Sequence, residues 1–271
     1  MKPSFNGATT MHATLETDIA AAANAGFELL EIWAAKLRTY LQIHTAGELK
    51  RLFADNKVKP YSINSIEHIT FRDDAAYAAI KEECEYLSRI AAELGCPYVV
   101  VVPGRMPTAG ASQEEIISES FRVLNELAAI AETHEVSLAF EFLGQTDCSV
   151  PTLELAAVIV DQVDRPSVGL VVDSFHFYAG GSELASIDKL DPKKLFVFHI
   201  NDAEDRPRAE LNDSHRLLPG LGILPLREMI AGFKRIGYDG VVSVEIFRPE
   251  YWGRDPFELA RDAYAAVQAQ L

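Results

Sequence analysis
Four acidic or imidazole side chains in the second half of the chain each follow a short apolar run: Glu141 after VSLAF, Asp173 after VGLVV, His199 after LFVF and Glu245 after VVSV. The strands of a (β/α)8 barrel all run one way and deliver their last residues to one mouth, where active sites on that fold are built. A charged group at the end of a buried strand costs several kcal/mol unless it is solvated, paired or bound to a metal. Four in succession therefore point to a shared partner, one divalent metal ion with Glu141, Asp173, His199 and Glu245 as its ligands. Three carboxylates and one imidazole suit manganese, magnesium, cobalt or zinc. Such an ion leaves positions for two adjacent substrate oxygens, as in an α-hydroxy ketone, and makes the carbon between them more acidic. A carboxylate beside it can take that C–H proton. Return of the proton to the neighbouring carbon is isomerisation; return to the opposite face is epimerisation.

A common mouth requires eight βα units, and strand-like and helix-like patterns alternate along the chain with no linker or low-complexity segment. Strands are expected around Phe5 to Ala8, at FELLEIW from Phe27, VKPYSIN from Val58, YVVVV from Tyr98, VSLAF up to Glu141, VGLVVD, LFVFHI and GVVSVE. The clearest helix carries Tyr77, Ile80, Cys84, Leu87, Ala91 and Leu94 on one face and stops at Gly95 and Pro97. Ser112 with Glu115 makes a capping-box pattern at the start of a helix that runs to about Thr133. Further helices are expected at Leu15 to Ala25, Ala46 to Asn56, Leu153 to Gln162 and Pro225 to Ile236, with a shorter one after VGLVVD and a last one from about Asp255. The longest connection runs from Asn201 to about Leu224; a loop of that length inside a compact domain is more often a lid or binding loop than filler. The expected fold is α/β, a single (β/α)8 TIM barrel spanning residues 1–271. A doubly wound open sheet has neither of its nucleotide fingerprints here, GxGxxG after the first strand or GxxxxGK[ST].

At 48% hydrophobic and 24% charged, the composition is that of an ordinary soluble domain, and no apolar run is long enough for a membrane span. MKPSFNGATT has no apolar stretch of signal-peptide length, which places the protein in the cytoplasm. Cys84, Cys96 and Cys148 fit that compartment as reduced structural thiols, being odd in number and without CxxC spacing. A net charge of −15 repels polyphosphate, so nucleic acid is not an expected partner. The expected partner is a small molecule, with homo-oligomerisation left open.

The segments AFEFLG with Glu141, VVDSFHFY with Asp173 and His176, FHIND with His199, HRLLPGLG with Arg216, and VSVEIF with Glu245 carry a resemblance over essentially the full length. The chain resembles the xylose isomerase-like barrel superfamily of sugar isomerases and epimerases, most closely its inosose isomerase branch. The resemblance implies that Glu141 and Glu245 hold the metal and also form the acid/base pair. It also implies that His176 and Arg216 contact substrate oxygens, and that the substrate is a sugar or an inosose such as 2-keto-myo-inositol. Inosose dehydratases and ketose 3-epimerases share these motifs. Apurinic endonucleases of the same superfamily hold three zinc ions with extra histidines, and His68 and the pair Asp213 and His215 match their pattern only in part. YVVVVPGRM lacks the histidine such a cluster needs, and an acidic chain lacks the footprint for DNA. His68 is instead expected among the substrate-binding residues, and His215 beside the pocket or in bonds around the metal. No phosphate-binding glycine loop is visible, although Arg105, Arg216 or Arg248 can receive a phosphate.

Overall fold
A strand covered on both faces must present apolar side chains to the helices outside and fill the barrel inside, and its period of two sorts its residues between those tasks. In a computed structural model of the chain, which describes residues 1–271, eight parallel strands do this. They are β1 (Lys2–Asn6), β2 (Leu29–Trp33), β3 (Lys59–Ile66), β4 (Tyr98–Val101), β5 (Ser137–Glu141), β6 (Val168–Asp173), β7 (Leu195–Ile200) and β8 (Val241–Val244). Each pairs with the next in sequence, and β8 closes on β1. Outward positions such as Phe5, Ile32, Val99, Phe140, Val172, Phe198 and Val244 join the main core beneath the helices. Inward positions divide by strand. Val100, Val102, Ala139, Val171 and Val197 form an apolar inner cluster, whereas Ser4, Asn6, Glu31, Ser62, Asn64 and Ser243 are polar and buried. The floor is aromatic: Tyr98 stacks on Phe196 with ring centroids 4.7 Å apart, and the Tyr61 hydroxyl donates to the Phe196 carbonyl at 2.9 Å.

The helices follow their sequence signals. The helix Asp74–Leu94 buries the expected apolar face and ends at Gly95 with φ +76°, a left-handed cap that glycine adopts without strain. Gln113–Glu132 opens on the Ser112 and Glu115 capping box. Apart from shifts of one or two residues at strand ends, three features differ from expectation. The first strand begins at Lys2 and ends at Asn6, because the Asn6 side chain accepts from the Ala8 amide at 2.9 Å and turns Gly7–Thr10 into a 3-10 helix. A helix at Ala34–Tyr40, right after β2, was not legible in the periodicity. The segment after β7 is not structureless, for Asp202–Ala203 pairs antiparallel with Arg216–Leu217. The Asp202 carboxylate accepts from the amides of Gly220 and Leu224, at 3.0 and 2.8 Å, and ties the far end of the loop down. No helix is long and apolar enough to cross a membrane.

The unanticipated helix has a specific task. Its Lys36 is buried and donates to the carbonyls of Gly7 and Thr10, both at 2.8 Å, and to Asp18 at 2.6 Å. Thr10 completes the cage by donating to the other Asp18 oxygen at 2.7 Å. The turn above β1 is thereby fixed to two helices. Lys36→Met would leave the Asp18 carboxylate buried without its cation and should cost about 3–5 kcal/mol in denaturant unfolding at neutral to slightly alkaline pH; a loss below about 1 kcal/mol, the range of an exposed pair, would show that the cage does not hold the turn.

Candidate metal centre
Glu141 and Asp173 end their strands on the inward parity, His199 lies one residue before the end of β7, and Glu245 lies one residue past β8 on the same parity as Ser243. Asp173 and His199 are register partners, and His199 is opposite Ser243. One ligand atom from each of the four falls within 4.8 Å of the others, and all four residues are buried. The imidazole sits at the centre: His199 Nδ1 lies 3.0 Å from Glu141 Oε1 and 3.4 Å from Glu245 Oε2. Three carboxylate oxygens and one imidazole nitrogen, convergent and withdrawn from water, are a donor set that fits a small divalent cation.

Partners distinguish the carboxylates. Glu245 accepts from Asn64 at 2.7 Å and Asn6 at 3.1 Å through Oε1, and from Arg216 Nη1 at 3.1 Å through Oε2. Asp173 accepts from the His176 amide, Asn201 and Arg216 at 2.8, 2.7 and 2.8 Å. Glu141 has His199 alone. Burial pushes the Glu141 carboxyl up to about 7, with repulsion from Glu245 and Asp173 adding to it and the His199 charge opposing it. Burial pushes Glu245 the same way, but His199 and Arg216 outweigh it and hold Glu245 below the usual range. Burial alone would lower the His199 pKa, yet Glu245, Glu31 and Glu141 raise it well above the usual value. Two neighbouring glutamates thus differ in proton affinity because one is surrounded by donors.

Arg216 and His176, both expected in the site, meet directly: Arg216 Nη2 donates to His176 Nε2 at 3.0 Å. That bond places the His176 proton on Nδ1, and burial together with the Arg216 charge lowers its pKa, so the ring is neutral. Arg216 is buried, with Asp213 accepting from Nε and Nη2 at 3.1 and 2.8 Å. Above these groups opens a cavity of about 320 Å³ lined by Trp33, Asn64, His68, Gln145, Phe247 and the cluster's two glutamates, among others. His68 is thus at the cavity, and Arg105 is at its exposed rim, paired with Asp147 at 3.4 Å. His215 is elsewhere: its Nδ1 accepts from the Asn212 amide at 3.2 Å and stays within its own turn. Asp213 holds Arg216 and, through its other oxygen, accepts from Gln145 at 3.0 Å, joining the loop after β7 to the loop after β5. The pair Asp213 and His215 therefore does not converge on the cluster. Sequence reasoning missed Glu31, Asn6, Asn64, Asn201 and Asp213 as parts of the site. The inward parity of Asn6, Glu31 and Asn64, each facing the barrel interior near the end of its strand, was the one signal that could have found them.

Known proteins resemble the chain over most of its length. The model of the xylose isomerase-like TIM barrel family matches residues 19–269. An inosose isomerase of Bacillus velezensis is 39% identical over 271 residues, covering 99% of this chain and 96% of that one. One of Bacillus subtilis is 40% identical over 254 residues, covering 93% and 91%. The crystal structure of the IolI protein with a bound zinc atom superposes with a TM-score of 0.96 at 38% identity, covering 100% of this chain and 98% of that one.

In the metal-free protein the imidazole is held protonated and Glu141 is half-protonated near neutrality, whereas a cation requires both deprotonated. Zinc titrated into the chelator-stripped chain at about pH 6 should therefore release about one to two protons per ion, and its affinity should rise as the pH is raised through about 7. Binding without proton release would place the ion elsewhere.

Proposed function
The chain belongs to the xylose isomerase-like TIM barrel family, and from that membership we propose that it is a divalent-metal-dependent isomerase that transfers a proton between adjacent carbons of a keto-polyol, with the inosose 2-keto-myo-inositol as substrate. The observation that carries the reading is the pair Glu141 and Glu245: two buried glutamates at one cavity, one held by Asn6, Asn64 and Arg216 and the other by His199 alone, so that the two carboxylates differ in proton affinity. General acid/base chemistry at neutral pH needs that division. Similarity to inosose isomerases at 39–40% identity supports the substrate.

A divalent ion held by Glu141, Asp173, His199 and Glu245 would supply Lewis acidity to the substrate's carbonyl and adjacent hydroxyl oxygens. The chain's own residues do the rest. Glu245, ionised, takes the proton from the carbon beside the carbonyl and passes it to the former carbonyl oxygen, while Glu141, also ionised when it holds the ion, takes the hydroxyl proton of that same carbon and delivers it to the former carbonyl carbon. One C–H and one O–H bond break and one of each forms, so the product is an isomer and both carboxylates end as they began. Arg216 Nη1, which meets Asp173 and Glu245 in the metal-free chain, would turn to substrate oxygen once those carboxylates hold the ion, with Asp213 orienting the guanidinium and the neutral His176 fixing it in turn. Trp33 and Phe247, whose rings meet edge-on at 5.4 Å, cover one wall and keep water from the reacting carbons. We also place the protein in the cytoplasm, a reading supported by three buried cysteines with no disulfide among them.

Conversion of the inosose in D2O should put deuterium at the carbon that gains the proton, read by NMR. Product free of deuterium would indicate an internal hydride shift and remove the glutamates from the proton path. Glu141→Gln or Glu245→Gln should lower turnover by about 10² or more.

Arg216→Ala should lower kcat/KM by about one to two orders of magnitude, the loss of a charge-assisted hydrogen bond, while the metal content of the protein stays near that of the native chain. Unchanged kinetics in this variant would take Arg216 out of substrate binding.

A further inference from the structure
One buried carboxylate of the barrel interior faces the cluster from behind and has no share in the cavity. Glu31 of β2 is fully buried and does not line the cavity. It is the register partner of Asn6 on β1 and of Ser62 on β3, so the three side chains point inward at one level. Glu31 Oε2 accepts from the Ser62 hydroxyl, and Oε1 accepts from Asn6 at 3.3 Å. The same Oε1 lies 3.0 Å from His199 Nε2. This contact is an ion pair by distance, the N–H direction falling outside hydrogen-bond alignment, and no other acceptor serves that nitrogen. Asn6 also donates to Glu245 at 3.1 Å, so Glu31 and Glu245 share one amide.

A carboxylate placed there costs desolvation energy that a leucine or methionine of similar size would avoid. What the carboxylate adds is direction. An imidazole has two nitrogens, and the one that faces a cation is set by what the other one meets. We propose that Glu31 is a positioning residue of the metal centre: it anchors the His199 ring through Nε2–H so that Nδ1 is the nitrogen presented to the cation, with Ser62 and Asn6 fixing the carboxylate itself. This rests on the reading that the cluster holds a divalent ion. Glu31 neither lines the cavity nor belongs to the four convergent ligands, so it acts on the centre through His199 and through the Asn6 amide that it shares with Glu245.

The test uses the full chain and its Glu31→Met, Glu31→Gln and Ser62→Ala variants, stripped of metal and titrated with zinc against a chelating dye. Glu31→Met should weaken zinc binding about 10- to 100-fold. Glu31→Gln, which keeps an acceptor oxygen, should recover part of that loss, and Ser62→Ala should show a smaller one in the same direction. Cobalt(II) loaded in place of zinc should report a changed visible absorption in Glu31→Met. In the zinc-loaded native chain the His199 Nε2–H resonance should be shifted downfield and slow to exchange, and in Glu31→Met it should lose that protection. Native zinc affinity and a native cobalt spectrum in Glu31→Met would overturn the proposal while leaving the metal centre standing. If that variant does not fold, native affinity in both Glu31→Gln and Ser62→Ala overturns it equally. A native chain that binds no zinc would instead sink the metal reading, and this proposal with it.

Discussion
Burial of several like charges around one imidazole is the constraint on which the rest of this structure depends. Glu31, Glu141, Asp173 and Glu245 are all withdrawn from water within reach of His199 or Arg216. Mutual repulsion of carboxylates at such spacing, in a medium that screens poorly, is tolerable only where positive charge is at hand or some of them are protonated. The protein uses both routes. His199 and Arg216 carry positive charge into the cluster, and Glu141, the least well supplied with donors, is the one whose proton affinity rises. A divalent cation bound there would exchange with those protons, so on the proposed reading acid/base function and metal affinity share the same residues.

The barrel makes such a cluster mechanically possible. Apolar outward residues bind each strand to its helices, so the inward residues are free to be polar without loss of the main core. Where the inner cluster is apolar, on β4 to β7, it supports the ends of β5, β6 and β7 from below. Where it is polar, Asn6 on β1 and Ser62 and Asn64 on β3 carry the amides and hydroxyl that bond to Glu31 and Glu245. The two halves of the interior therefore do different things: one supports ligands by packing, the other by hydrogen bonding.

The loop after β7 completes the site from above. Its antiparallel ribbon brings Arg216 back over the strand ends, and Asp213 in its 3-10 turn orients the guanidinium. Arg248, from the segment after β8, donates to Glu204 at 2.8 Å and anchors the near side of the same loop. Of the arginines expected to be able to receive a phosphate, Arg216 is thus committed to carboxylates, Arg248 to the loop and Arg105 to Asp147. A neutral polyol suits this pocket better than a charged one.

The chain's own order of residues determined the barrel, the strand ends and the four candidate ligands, because those depend on local pattern: apolar runs of period two, helical stripes, caps, and a polar residue at a fixed place after each run. His176 and Arg216 were legible as well, through short motifs beside those ends. Glu31, Asn6 and Asn64 were not, since their strands lie at the other end of the sequence and only closure of β8 on β1 brings them to Glu245 and His199. The fates of His68, Asp213 and His215 also waited for the tertiary structure: spacing put them near strands, but the turn of a loop decided that Asp213 grips an arginine and His215 faces its own backbone. Local sequence sets which groups a strand or helix can offer; which of them meet, and with what charge, is set by barrel closure and loop packing, because the energies of burial and Coulomb interaction depend on distances between residues far apart in the chain.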